Sequence, residues 1–337
     1  MSLRIVDAVL SGAPRGRLHR YSLRVSVLEQ CQLDCRYCRP GSTTSPTEKA
    51  RWLRADEHAR LAPLLLNRGV AKVRFTGGEP TLRTDLADVV GAWRDAAVAA
   101  HVELPLALTT NALRLVPQLP ALQAAGLTSI TIHLDTLRTD RIVALMGAGA
   151  DVDTALHATR AAIALGLPVK WNTVVQKGRN DDELVDMLAV ANDLGVEVRF
   201  IELMNTGSAQ GYVAETFISG KDIIAKLAAT TAVRPIPRRQ PSDPAALYQA
   251  GDLVFGVIAS DTEPFCGDCD RLRLSADGRV RGCLYQPGGL PLGAALRAGT
   301  DDDGVLALLD SALDDKRSHH PLAPQPRVPF SMADVGG

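Results

Sequence analysis

Six runs of apolar and β-branched residues punctuate the first two-thirds of the chain, at residues 23–28, 70–76, 104–110, 129–134, 168–175 and 197–203. Segments of helical periodicity lie between most of them. Residues 85–99 place Leu86, Val89, Val90, Trp93 and Ala97 on one stripe, with Thr84 as the expected N-cap. Residues 180–194 open on Asn180 with Glu183 three positions on, which resembles a capping box, and stop at Gly195. Residues 53–67 and 152–165 read alike and end just before Gly69 and Gly166. Strand–helix alternation with short connections predicts parallel strands joined by right-handed crossovers. Polar chemistry collects at the C-terminal edge of nearly every run. Examples are Cys31 to Cys38, Thr76-Gly77-Gly78-Glu79-Pro80, Thr109-Thr110-Asn111, His133-Leu134-Asp135 and Glu202-Leu203-Met204. Barrel enzymes build their sites from that rim. The expectation is therefore an α/β fold, a partial TIM-type (β/α)6 barrel over residues 1–210.

Beyond residue 210 the alternation weakens. Residues 234–243 are rich in Pro and Arg and read as a connecting loop. A second region, 211–313, carries short strands at 253–259 and 271–275 and a helical composition at 290–313. The tail, 314–337, is polar, punctuated by proline, and ends Val335-Gly336-Gly337.

Composition narrows the function. With 337 residues, 46% hydrophobic, the chain has ample core, and its net charge of −1 gives no support to a nucleic-acid or anionic-membrane role. Aromatic content of 4% argues against a base-stacking platform. No stretch approaches the length of a membrane span, and residues 1–7 lack the apolar segment of a secretion signal, so a cytoplasmic protein is expected.

The six cysteines fall into two groups of three, Cys31, Cys35, Cys38 and Cys266, Cys269, Cys283. That clustering is metal spacing rather than a disulfide framework. Structural zinc takes four protein ligands, whereas three cysteines can hold three irons of a [4Fe–4S] cluster and leave the fourth open. Spacing alone leaves both open. For the second group a zinc ribbon is the simpler reading, and His319 or His320 could complete it in principle.

Cys31-x3-Cys35-x2-Cys38, with Tyr37 directly before the last cysteine, resembles the signature of the radical S-adenosylmethionine (SAM) superfamily. Gly77-Gly78-Glu79-Pro80 matches that superfamily's glycine-rich SAM segment. The second cysteine group then makes the chain similar to the GTP 3′,8-cyclase family of molybdenum cofactor biosynthesis. The likeness runs through Lys72-Val73-Arg74-Phe75-Thr76, Thr109-Thr110-Asn111-Ala112, Val169-Lys170-Trp171-Asn172 and Arg199-Phe200-Ile201-Glu202-Leu203-Met204. It is most diagnostic at Phe265-Cys266-Gly267-Asp268-Cys269-Asp270-Arg271-Leu272-Arg273, with Gly282-Cys283-Leu284 and the closing Gly336-Gly337.

The resemblance implies two [4Fe–4S] clusters, the first on Cys31, Cys35 and Cys38 and the second on Cys266, Cys269 and Cys283. It places SAM against Tyr37, Gly78, His133 and Met204. It surrounds GTP with Arg24, Lys72, Arg74, Thr109, Lys170, Arg271, Leu272 and Arg273, and brings the Gly336-Gly337 tail into the site. A deoxyadenosyl radical takes the ribose 3′ hydrogen and the sugar radical closes on guanine C8, giving (8S)-3′,8-cyclo-7,8-dihydroguanosine 5′-triphosphate. A flavodoxin or ferredoxin would supply the electron, and a cyclic pyranopterin monophosphate synthase would take the product. Either a monomer or a homodimer is compatible.

Several positions depart from the pattern. His133 stands where the family commonly has serine, Arg39 where methionine follows the last cysteine, Ala112 where glycine closes Thr-Thr-Asn-Gly, and Trp171 where the side chain is smaller. Such changes could mark a paralogue acting on another nucleotide. Further alternatives are a radical SAM enzyme modifying a peptide and a zinc scaffold without catalysis.

Overall fold

Polar and apolar side chains alternate along the central strands, and this alternation gives the sheet two unlike faces. The computed structural model describes residues 20–38, 48–204, 210–286 and 288–318. Six parallel strands form the centre: β1 (Tyr21–Ser26), β2 (Val70–Thr76), β3 (Leu106–Thr110), β4 (Ser129–His133), β5 (Val169–Val175) and β6 (Glu197–Glu202). Helices α1 (Ala55–Asn67), α2 (Leu86–Ala99), α3 (Leu119–Ala124), α4 (Ile142–Met146), α5 (Val152–Ala164) and α6 (Leu184–Asp193) connect them. Leu23, Val25, Val73, Phe75, Leu108, Ile132, Trp171, Val198 and Phe200 join Leu61, Leu65, Val89 and Trp93 of the helices in one hydrophobic core. The intervening positions, Arg24, Lys72, Arg74, Thr109, Thr131, His133, Lys170, Asn172 and Arg199, face the other way.

That other face is concave. In a flat sheet β2 and β6, four strands apart, would be separated by about 19 Å. Yet the Arg199 charge is near enough to act on those of Arg74 and Lys72. The sheet is curled into a partial barrel.

The remaining chain extends both edges of this barrel. After α7 (Gln210–Thr216) and α8 (Gly220–Ala228) come β7 (Val233–Ile236), β8 (Ala246–Ala250), β9 (Leu253–Ile258), β10 (Arg271–Leu274), β11 (Arg279–Arg281) and β12 (Leu290–Pro291). Helices α9 (Leu292–Arg297) and α10 (Asp302–Ser318) follow. The twelve-stranded sheet runs β12-β11-β10-β1-β2-β3-β4-β5-β6-β9-β8-β7. Strand β10 is parallel to β1, with Arg24 opposite Arg273, and β9 is parallel to β6. No helix among the described residues is long and apolar enough to cross a membrane.

Four local expectations are corrected. Thr84 does not cap α2, which begins after Asp85 with no side-chain cap bond. Asn180 does not cap α6 either. Its side chain accepts from Gln176 N–H at 2.7 Å and donates to the Asp135 carbonyl at 2.7 Å, and the helix starts only at Leu184. The Pro/Arg-rich segment is partly strand, since β7 takes in Arg234 and Pro235. The helical run 290–313 is broken into α9 and α10 at Gly299, whose φ is 78°.

Candidate active site

The first cysteine group is held by backbone packing. A Cβ on Gly77 would lie 2.3 Å from the Leu28 carbonyl oxygen, and one on Gly78 would lie 2.2 Å from that of Gln30. Only glycine lets the β2 end lie against the segment leading into Cys31, where Gly78 N–H donates to Leu28 O at 2.9 Å. Glu79, 1% exposed, ties this turn to β3 by accepting from Thr81 N–H, the Thr110 hydroxyl and Asn111 N–H. Asn111 in turn lies 3.8 Å from the Cys31 sulfur through its Nδ2. On the far side Cys35 donates to the Met146 carbonyl at 3.4 Å, and Gly147 at φ 94° abuts Asp34. Burial, then the neighbouring Cys38, Asp135 and Cys31, push the Cys35 thiol well up.

Tyr37 joins a half-buried polar triad built on the fully buried Asp135. Its hydroxyl donates to Asp135 Oδ2 at 2.6 Å and pairs with His133 Nε2, which lies 3.2 Å from the same oxygen. The other Asp135 oxygen accepts from Val174 N–H at 2.8 Å. Burial opposes a charged imidazole, but the Asp135 charge and hydrogen bond outweigh it and raise the His133 pKa. With Nε2 engaged, Nδ1 is the ring atom left to meet a ligand. Met204, half-buried, follows β6 at the same rim.

The barrel lumen is basic. Arg281, Arg273, Arg24 and Arg74 stand in one register row across four adjacent strands. Ser22, one row down, lies opposite both Lys72 and Arg271. Burial and then the charges of Arg273, Arg271 and Arg74 push Arg24 well below the ordinary guanidinium range. Burial and Arg271 do the same to Arg273. Arginine keeps its proton in proteins, so this crowding acts as a demand for counter-anions. Arg74 also donates to Thr109 and Thr131 at 3.1 and 2.9 Å. Across the lumen Lys170 and Arg199 share Glu197 Oε1 at 2.9 and 3.0 Å. Asn172, two residues on from Lys170 and opposite Arg199 in the sheet, has a buried Oδ1 with no hydrogen-bond partner.

The second cysteine group lies at the opposite end of the lumen. Cys269 sits two residues before β10 and Cys31 follows β1, and these strands are parallel. The rows between Arg271 and Ser26 amount to about 13 Å of strand. Lys316 of α10 donates to the Cys269 sulfur at 3.7 Å and to the Gly282 carbonyl at 3.0 Å. Burial raises the Cys269 pKa, but Arg271 and Lys316 more than offset it and the thiol is lowered overall. Arg271 stacks 4.4 Å over the Phe265 ring.

All six cysteines are free thiols. Among the described residues no three His, Cys, Asp or Glu side chains converge as the shell of one metal ion. A cluster spreads its cysteines over separate irons, and in each trio two members are near enough to add to the upward shift of the third, Cys35 in the first and Cys266 in the second. Three thiols, no fourth protein ligand among the described residues and nearby cations at Cys269 fit a [4Fe–4S] cluster better than zinc.

The expected site residues fall into these groups with three exceptions. Leu272 is 1% exposed in the core beside Leu23, so its side chain is turned away from the site. Gly336 and Gly337 lie outside the described residues, as do Arg39, His319 and His320. Trp171 turns away from the lumen, is fully buried and donates to Thr159 of α5 at 3.0 Å, so it does not shape a substrate pocket. Sequence reasoning missed Arg199, Glu197, Asn172, Arg281 and Lys316. The first three share the strand parity of Lys170, which was the available signal; Lys316 had none.

Models of two families match the chain: the radical SAM superfamily over residues 25–191 and molybdenum cofactor synthesis C over residues 196–322. A GTP 3′,8-cyclase of Acidothermus cellulolyticus is 38% identical over 302 residues, covering 86% of this chain and 81% of that protein. One from Moorella thermoacetica is 34% identical over 318 residues, covering 94% and 97%. One from Corynebacterium glutamicum strain R is 36% identical over 337 residues, covering 96% and 88%. Among solved structures, Streptococcus suis SuiB bound to S-adenosylmethionine shares the fold with a TM-score of 0.61 at 14% identity, over 95% of this chain and 73% of that one.

Proposed function

The chain belongs to the GTP 3′,8-cyclase family of radical SAM enzymes, and from that membership we propose that it converts GTP to 3′,8-cyclo-7,8-dihydroguanosine triphosphate, the first step of molybdenum cofactor synthesis. The observation that carries this reading is the in-register row Arg281, Arg273, Arg24 and Arg74, set between two cysteine trios at opposite ends of one barrel. The row would take the nucleotide lengthwise, the guanidinium forks at its Arg273 and Arg24 end suiting the acceptor edge of guanine and Arg74, at the other end, the phosphate oxygens.

Cys31, Cys35 and Cys38 would hold the cluster that binds SAM, and Cys266, Cys269 and Cys283 a second cluster. When bound, the first cluster and SAM supply the deoxyadenosyl radical that takes the ribose 3′ hydrogen. Gly78, packed against the Gln30 backbone, would put the β2 turn beside the SAM amino group, and His133 would offer Nδ1 to its carboxylate, while Tyr37 is fixed by Asp135. Arg24, Arg271 and Arg273 hold the base end of GTP near the second trio. Lys72, Arg74, Thr109 and Lys170 grip ribose and phosphates. Basic walls on both sides of the lumen fix the nucleotide with its sugar towards the first trio. Residues 1–210 would be the barrel unit and 211–318 the second-cluster region, because the helix that spans 313 carries Lys316 to Cys269; a place for the Gly336-Gly337 tail in the site rests on the likeness to the family alone. Flavodoxin or ferredoxin supplies the electron in the cytoplasm, and a cyclic pyranopterin monophosphate synthase consumes the product. His133 and Trp171 lie away from the basic row, so neither departure favours another nucleotide.

The test is anaerobic turnover of reconstituted, dithionite-reduced protein with SAM and each of GTP, ATP, CTP and UTP. Deoxyadenosine and an isomer of the nucleotide, formed with GTP alone, are expected. Deoxyadenosine without a nucleotide product would overturn the cyclase reading.

A further inference from the structure

The Arg- and Pro-rich turn between β7 and β8 is drawn across the N-terminal mouth of the barrel. At one end Arg239 Nη2 donates to Glu197 Oε2, on the first residue of β6. At the other, Ser242 donates to Asp270, the residue before β10. Asp243 lies between, close enough that its charge acts on both Lys72 and Arg239. The turn therefore passes directly beneath the lumen cations.

Glu197 is the one carboxylate on the lumen-facing positions of β1 to β6. It serves three cations at once, with Lys170 and Arg199 on Oε1 and Arg239 on Oε2. Its carboxyl, against its own burial, is held down to about 2 by Arg239, Lys170 and Arg199. One carboxylate among three cations leaves positive charge over, which a polyphosphate would meet. Lys170 and Arg199 are fixed on strands. Arg239 stands on a turn with its side chain 53% exposed, against 27% for Lys170 and 15% for Arg199, so of the three it has the most room to change partner by rotating side-chain bonds.

We propose that Arg239 is a substrate-binding residue, which exchanges Glu197 for the distal phosphates of the nucleoside triphosphate and so makes the site prefer a triphosphate over a diphosphate. This rests on the cyclase reading. The base end is held at the β10 side of the lumen, so the phosphate chain runs towards β5 and β6, where Glu197 marks the anion position. A guanidinium on the distal phosphates is met by GTP and not by GDP. It contributes to discrimination rather than to binding in general.

The experiment is equilibrium binding of GTP and GDP to anaerobically reconstituted holoenzyme, as wild type, Arg239→Ala, Arg239→Lys and Arg234→Ala. Arg234 is a control arginine on β7, bonded to Gln249 at 2.6 Å. Arg239→Ala should lose GTP affinity about tenfold or more and keep GDP affinity within about twofold. Arg239→Lys should recover part of the preference, and Arg234→Ala should match wild type. Equal losses for GTP and GDP in Arg239→Ala, or no loss for either, would overturn the proposal and leave the cyclase reading standing. Wild type that binds neither nucleotide would overturn both.

Discussion

Lys170 gives the basic lumen a measurable pH signature. Its ammonium is pushed down to about 8, first by burial and then by Arg199, with the Glu197 ion pair offsetting only part of the loss. A bound polyphosphate would return it towards the ordinary lysine value of about 10.4. GTP binding above pH 8 must therefore take up a proton. With a free pKa of about 8, roughly a tenth of Lys170 is uncharged at pH 7 and roughly nine-tenths at pH 9. The GTP association constant should accordingly fall about tenfold between those pH values. The sign is fixed: affinity is full below pH 8 and is lost as pH rises through it. Equilibrium dialysis of labelled GTP at pH 7, 8 and 9 measures the slope, with cluster absorbance as the integrity control. Lys170→Arg should flatten it, because arginine does not titrate there. Lys72, also lowered by its burial and by Arg74, leaves a residual slope common to both proteins. A wild-type affinity that does not change with pH, or a Lys170→Arg curve parallel to it, refutes the reasoning.

Three further outcomes are expected. His133→Ala removes the Tyr37 and Asp135 partner and should weaken SAM binding about tenfold in calorimetry on reconstituted protein, while leaving GTP binding alone; unchanged SAM affinity would remove His133 from that site. Ala112 sits at φ 70° with its side chain buried, so Ala112→Gly should stabilise the protein by about 0.5–1 kcal/mol, read as a raised denaturation midpoint; a lowered midpoint contradicts the strain. Replacing all three of Cys266, Cys269 and Cys283 by Ala should halve the iron from about eight to about four per chain while SAM cleavage persists; zinc at either trio would speak against iron–sulfur chemistry.

The sequence shows the six barrel strands to within two residues, because each is an apolar run closed by polar or glycine-rich rim chemistry. It shows the caps poorly. Asn180 has cap chemistry, yet its amide is spent on Asp135, forty-five residues away, a long-range bond that local pattern does not reveal. Lumen parity was legible in principle: Arg74, Lys170 and Arg199 alternate with Phe75, Trp171 and Phe200, and following that alternation leads to Glu197 and Asn172. The same alternation turns Trp171 into the core. The pairing of β10 with β1 was not legible, since nothing within residues 271–274 names a partner far back in the chain. The opposite placement of the cysteine trios follows from that one pairing.

That pairing also bears on how the protein is made. Strands β1 and β6 are the outer pair of the six-stranded set, and each gains its second neighbour only from the last third of the chain. Until β9 and β10 leave the ribosome, both present unpaired N–H and C=O groups, the kind of edge on which chains aggregate. A chain cut short before residue 253 keeps both edges bare. The strand that leads into Cys31 thus becomes interior only when the strand that follows Cys269 docks on it.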